Sequence, residues 1–260
     1  MESGGLPSVN ESILHVWILD LNLERESLAS LEELLSVEEW RRVRLYSTCR
    51  LGRRFIARRG LLRLVLGQYL NQHPRDISFV YNAYGKPFLA RELSTDLQFS
   101  LSDSEDKAVL AVGLGQPVGV DIERLRSVSL EGGIENNSSG RREVVQGGCP
   151  PESSLCFEFF RAWTCHEAVA KAEGVGLQMQ SSQSELCGRA DFAPAASGRD
   201  GTLRVRGFYL HSLTLPSGYV GTLAARTRSP RIVYCSWERV QHAPNSPYAA
   251  TRALPVRPRP

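Results

Sequence analysis

The sequence predicts an α+β protein built from two similar α/β halves, and two observations carry that reading. The first is a hairpin signal that recurs. Alternating apolar runs at Phe99, Leu101 and Ala108 to Val112 flank Asp103-Ser104-Glu105-Asp106. A similar pair, Phe208-Tyr209-Leu210 and Tyr219 to Leu223, flanks Pro216-Ser217-Gly218. The second is helical spacing of apolar residues, with Phe55, Ile56, Leu62, Val65, Leu66 and Tyr69 in the first half and Phe160, Trp163 and Val169-Ala170 in the second. A chain of 260 residues, 42% apolar, can bury a substantial core in one large domain or two small ones. The first half is expected over 1–115, ending near Gly115, and the second over 116–228. The remainder, 229–260, reads as an extended or disordered tail.

In chain order, Met1 to Glu11 reads as an irregular start and His15 to Leu19 as a first strand. Leu31, Leu34 and Leu35 begin a helical pattern, and Ser36 with Glu39 three residues on is a capping-box signal for a second helix. A long helix follows on the Phe55 to Tyr69 face. Ile77 to Val80 reads as a strand, and Tyr84-Gly85-Lys86-Pro87 as a turn held by its proline. Gly119 to Glu123 alternates apolar and acidic residues as a strand does. Between Arg126 and Ser154 the pattern fails: Gly132-Gly133, Asn136 to Gly140 and Gly147 to Pro151 predict a flexible loop over 126–154. Ser181 to Gly201 is a second polar loop.

Net charge is +3, but its distribution is uneven, because lysine occurs only at Lys86, Lys107 and Lys171. Nine arginines crowd between Arg41 and Arg63. A charge run is ordinarily a solvated helix face. Aromatic residues are too sparse among these arginines for a base-stacking surface, so no nucleic-acid partner is expected, whereas a small anion needs only two or three of them. Six cysteines without C-x-x-C spacing argue against a zinc site or a redox pair and predict free thiols. There is no apolar run of bilayer length and no basic-then-apolar start, so a cytoplasmic protein without a membrane partner is expected.

Chemistry concentrates in Phe159 to Leu177. On a helix, Glu167 and Lys171 are four residues apart, lie one above the other and can face a cleft together. The same spacing is that of a solvated pair worth about 0.2–0.5 kcal/mol, and the stretch alone does not separate the two readings. Gly174 and Gly176 fit the helix exit. In Gly119 to Glu123 a strand sends Asp121 and Glu123 to one face and Val120 and Ile122 to the other. Two carboxylates so placed repel unless a cation lies between them, and with Glu167 they make an oxygen-ligand set that suits Mg²⁺.

These blocks resemble those of the 4′-phosphopantetheinyl transferases of the larger, monomeric, surfactin-synthetase-activating type. The G-[IV]-D-[IV]-E strand stands as Gly119 to Glu123, and the W-x-x-K-E-A/S-x-x-K helix with its G-x-G-L exit as Trp163 to Lys171 and Gly174 to Leu177. The G-K-P turn and F-N-[IL]-S-H-S strand stand as Tyr84 to Pro87 and Phe99 to Ser104. The resemblance covers roughly Val16 to Arg226. It has departures: the histidine of S-H-S is Asp103, the lysine before the helix glutamate is His166, and no F-[ST]-x-x-E motif opens a carrier-facing helix in 126–154.

The resemblance implies a pseudo-dimeric monomer with the cofactor cleft between its halves. It implies transfer of the 4′-phosphopantetheine arm of coenzyme A to a serine of an acyl- or peptidyl-carrier protein, with release of adenosine 3′,5′-bisphosphate. Asp121, Glu123 and Glu167 would hold Mg²⁺. Arg54, Lys86, Pro87, Ser102, Asp103 and Lys171 would contact coenzyme A, with Arg54 on the 3′-phosphate and Arg42 a second candidate there. Glu167 would take the serine proton and Lys171 would offset phosphate charge. Ser102 reads equally as a turn serine. An ionised Asp103 cannot donate to a phosphate, so it must turn toward Lys107 or an arginine, or help to hold a cation. The alternative is a non-catalytic or repurposed relative that binds coenzyme A or a carrier protein.

Overall fold

The structure, a computed structural model, describes residues 9–126, 128–129, 134–136, 142–144, 148–149, 154–175 and 203–236. Strand β1 (Ile13–Asp20) leads to helices α1 (Arg25–Glu32), α2 (Val37–Val43) and α3 (Cys49–Leu70). A small hairpin, β2 (Phe79–Tyr81) and β3 (Pro87–Leu89), precedes the long hairpin β4 (Leu97–Ser104) and β5 (Lys107–Leu114), and β5 returns antiparallel to β1. The same order then recurs. Strand β6 (Val118–Arg124) leads to helix α4 (Ser154–Glu173), then to β11 (Leu203–Val205) and the hairpin β12 (Phe208–Ser212) and β13 (Tyr219–Ala225), and β13 returns antiparallel to β6. The chain is therefore α+β, as its residue pattern predicts.

Three features differ from the sequence reading. The strand expected at Ile77 to Val80 is displaced to Phe79–Tyr81, because Pro74–Asp76 forms a 3₁₀ turn and Ile77 drops into the core. Inside 126–154, where only a loop was expected, β7 (Val128–Ser129) pairs with β10 (Gly148–Cys149) and β8 (Ile134–Asn136) with β9 (Arg142–Val144). The segment after 229 begins with β14 (Arg231–Ser236), which pairs parallel to β1 and completes the first sheet, in the order β14-β1-β5-β4. The polar loop at 181–201 and the tail beyond 236 lie outside the described residues.

Period-2 alternation builds the layers. On β1, Trp17 and Leu19 join Leu62, Val65 and Leu66 of α3 in one core, while Leu14 and Val16 point the other way, into a second core with Val120 and Ile122 of β6. The far side of the second sheet buries Phe208, Leu210 and Ala224 against Cys165, Ala168, Val169 and Ala172 of α4. Thus α3, the first sheet, the second sheet and α4 stack in that order. Each fully buried large apolar side chain contributes about 1.5–3 kcal/mol. Among the described residues no helix is long and apolar enough to cross a membrane.

The capping box forms as the sequence predicts: Ser36 accepts from the Glu39 amide, and Glu39 accepts from the Ser36 amide at 2.9 Å. Glu39 also has a second duty. Its buried carboxylate takes Arg63 Nε at 2.8 Å and lies 3.5 Å from Arg59 Nε. Arg63 further donates to the carbonyls of Pro74 (3.0 Å) and Ile77 (2.8 Å), tying α2, α3 and the 3₁₀ turn together. Arg59 donates to the Tyr81 hydroxyl. Two members of the arginine run are therefore core residues and not a solvated face. Arg63→Ala is expected to lower stability by about 3–5 kcal/mol, since it strands a buried carboxylate. Urea unfolding near neutral pH measures it, and a loss below about 1 kcal/mol would contradict the role given to this ion pair.

Candidate active site

The close approach of α4 to β6 sets the site. A Cβ placed on Gly119 would lie 1.9 Å from the carbonyl oxygen of Ala168 and 2.4 Å from the amide nitrogen of Ala172. Only glycine there, facing two alanines, lets the helix backbone rest on the strand. One turn of α4 then stands over the acidic face of β6. The helix ends as its glycine predicts: Gly174 has φ +75, its amide returns to the Lys171 carbonyl, and the Val175 amide returns to the Ala170 carbonyl. The β2–β3 hairpin closes over that end. Asn82 Nδ2 donates to the Gly174 carbonyl and Lys86 Nζ to the Lys171 carbonyl.

The open edge of β6 faces the serines of β4. Ser100 Oγ accepts from the Val120 amide at 3.1 Å and Ser104 Oγ from the Arg124 amide at 3.0 Å. Ser102 Oγ donates to Asp121 Oδ1 at 2.7 Å, and Ser104 Oγ to Glu123 Oε2 at 2.9 Å. Lys171 completes the cluster from α4: its ammonium donates to Asp121 Oδ1 at 2.6 Å and to Ser102 Oγ at 2.8 Å. Asp121, Ser102 and Lys171, separated by up to 69 residues in sequence, thus share one contact.

Charge at this site is only partly compensated. Asp121 is buried, and its Oδ2 has no hydrogen-bond partner among the described residues. Burial raises its pKa, against the pull of Lys171 and Ser102. Glu123 is raised by burial and by Asp121, and Glu167 by burial, Asp121 and Glu123, so the three carboxylates feel one another. Burial and the neighbouring Lys171 lower Lys86 to about 8. An orphaned buried carboxylate oxygen beside two half-buried carboxylates fits a hard divalent cation in the chemistry of its donors. As the side chains stand, Lys171 holds Asp121, and among the described residues no three acidic, histidine or cysteine groups are drawn into a closed metal cluster.

The other residues singled out by sequence fall around this centre. Pro87 opens β3 opposite Tyr81. Asp103 turns toward arginines, one of the courses open to it: Arg58 Nη1 reaches Oδ1 at 2.6 Å and Arg54 Nη2 lies 3.4 Å from Oδ2. Burial and the Arg206 charge lower the pKa of His166. Sequence reasoning overlooked Ser104, Arg58, Asn82 and the packing duty of Gly119. The alternation Ser100, Ser102, Ser104 was a visible signal of a polar strand face, whereas the Asn82 contact depends on chain segments 92 residues apart.

No family model matches the chain. It is 36% identical over 166 residues to the 4′-phosphopantetheinyl transferase HetI of a Nostoc species, covering 63% of this chain and 70% of that one. It is 33% identical over 117 residues to the 4′-phosphopantetheinyl transferase gsp of Aneurinibacillus migulanus, covering 45% and 46%. To the 4′-phosphopantetheinyl transferase Sfp of Bacillus subtilis it is 29% identical over 119 residues, covering 46% and 51%, so the match spans about half the length of these last two relatives. With 70% of a relative's length matched at 36% identity, the chain belongs to the 4′-phosphopantetheinyl transferase family.

Proposed function

We propose that this chain transfers the 4′-phosphopantetheine arm of coenzyme A to a serine of an acyl- or peptidyl-carrier protein, in a Mg²⁺-dependent reaction that releases adenosine 3′,5′-bisphosphate. The observation that carries the proposal is the Lys171–Asp121–Ser102 contact with the unpartnered Asp121 Oδ2 beside it. Phosphoryl transfer needs positioning and charge neutralisation more than covalent chemistry, and this cluster offers an ammonium, a hydroxyl and three carboxylates.

Asp121, Glu123 and Glu167 would hold Mg²⁺, which supplies charge neutralisation to the pyrophosphate oxygens when bound. Lys171 gives up its contact with Asp121 to donate to the phosphate that leaves with the nucleotide. Ser102, held by the same contact, turns its hydroxyl toward a phosphate oxygen. Glu167 accepts the proton of the attacking serine hydroxyl. The lack of a hydrogen-bond donor against its carboxylate among the described residues supports that role. Lys86 and Pro87, on the turn that closes over α4, border the coenzyme A site from the first half. Arg54, four residues before Arg58 on α3, contributes positive charge for the remaining phosphate.

The recurrence of strand, long helix and returning hairpin supports a pseudo-dimeric monomer, with the cleft where β4 and the β2–β3 hairpin meet β6 and α4. Cys49 and Cys165 are free thiols, which supports a reducing, cytoplasmic setting. Intact-mass measurement of apo-carrier proteins incubated with the chain, coenzyme A and Mg²⁺ tests the function. The expected result is a mass gain of one phosphopantetheine arm, lost on chelation. Coenzyme A binding with no mass gain across a carrier panel would leave a binding module instead.

A further inference from the structure

Arg54 and Arg58 stand one turn apart on α3 and converge on one carboxylate, Asp103, at 3.4 and 2.6 Å. Two guanidinium groups against one carboxylate leave a net positive charge. Among the described residues Arg54 Nε is also buried without an acceptor, so Asp103 does not exhaust the donors of the pair. A paired-arginine grip of this kind suits a phosphate dianion better than a carboxylate, since the dianion brings a third oxygen and a second charge. All three side chains keep 21–31% of their surface open to solvent, so an anion can reach them. Strand alternation sets Asp103 on the α3 side of β4 and Ser102 on the β6 side. The arginine pair is therefore one residue from the Ser102–Lys171 contact but on the other face of the strand. With the pyrophosphate at Ser102 and Lys171, the anionic group of coenzyme A that remains is its 3′-phosphate monoester.

We propose that Asp103 is an internal competitor for that monoester: its carboxylate occupies the Arg54–Arg58 pair, and coenzyme A binds there only by displacing it. The inference rests on the coenzyme A reading above. The displaced carboxylate stays close to the incoming dianion, so the 3′-phosphate brings little net affinity. The chain consequently accepts 3′-dephospho-coenzyme A almost as readily as coenzyme A.

Calorimetric titration of wild type and Asp103→Asn with both ligands tests this. Wild type is expected to discriminate between them by less than about tenfold. Asp103→Asn should tighten coenzyme A by about tenfold or more while changing dephospho-coenzyme A by less than about twofold, and added salt should shrink the gain. In a variant that unfolds at the wild-type temperature, weaker coenzyme A binding, or an equal change for both ligands, overturns the proposal. Should the variant not fold, wild type decides alone: a preference for coenzyme A of about a hundredfold or more refutes the competitor role. Failure of wild type to bind either ligand removes the coenzyme A reading itself, and this inference with it.

Discussion

Gly119→Ala is expected to lower transfer activity by about a hundredfold or more and to destabilise the fold by about 1–3 kcal/mol. A methyl group at 119 meets a backbone carbonyl at 1.9 Å and a backbone nitrogen at 2.4 Å. Neither atom can yield without moving the helix. Carbon and oxygen need about 3.3 Å, so α4 must shift by roughly 1.4 Å or tilt away from β6. Either motion carries Glu167 and Lys171 off the acidic face, breaking a contact that now closes at 2.6 Å. Shaving Ala172 to glycine removes only the 2.9 Å side-chain contact and should not rescue the variant. Gly52→Ala on α3 serves as the control. Its Cβ finds nothing nearer than 3.8 Å, so alanine there should leave activity unchanged and hold or raise stability by up to about 1 kcal/mol. Wild-type turnover by Gly119→Ala would mean that the helix-to-strand distance is not what assembles the site.

The limits of sequence reading follow the same physics. Period-2 alternation announced β6, and with it the common face of Asp121 and Glu123. Helical spacing and a terminal glycine announced α4 and its exit. Such signals are local, set by neighbours a few residues away. Glu39 was legible as a cap three residues from Ser36, but not as the buried partner of Arg63, 24 residues on. The arginine run looked uniform because composition cannot tell which guanidinium meets a carboxylate: Arg59 and Arg63 are buried on Glu39, while Arg54 and Arg58 hold Asp103. Strand β14 was hidden for a similar reason, since its partner β1 lies at the other end of the chain. Asp121 is the sharpest case. Acidic alternation alone describes it as one of two repelling carboxylates, yet the fold gives it an ammonium and a hydroxyl at 2.6–2.7 Å.

That difference separates two variants which otherwise share a phenotype. Glu167→Gln and Asp121→Ala are each expected to reduce transfer by about 10²–10³-fold or more, because each removes a carboxylate proposed to hold Mg²⁺, and Glu167→Gln also removes the proposed proton acceptor. Their stabilities should diverge. Asp121→Ala takes the carboxylate from Lys171 and the acceptor from Ser102. Breaking a fully buried pair costs about 3–5 kcal/mol, but Lys171 is 29% exposed and burial already raises the Asp121 pKa, so the net loss expected is smaller, about 1–3 kcal/mol. Among the described residues Glu167 has no such partner. Its folded pKa is raised by burial, Asp121 and Glu123, so ionising it opposes folding, and a neutral amide should hold or raise stability. The sign fixes the pH window. Below the ordinary value of 4.5 the wild-type carboxyl is protonated in both states and the advantage of the amide vanishes. As pH rises through the folded value the advantage becomes complete. Thermal unfolding of both variants from pH 4 to pH 8, read beside carrier mass gain, checks the pair. Equal losses of stability would refute the Lys171–Asp121 contact as the one that compensates the site, and undiminished transfer by either variant would refute the carboxylate set as its chemical centre.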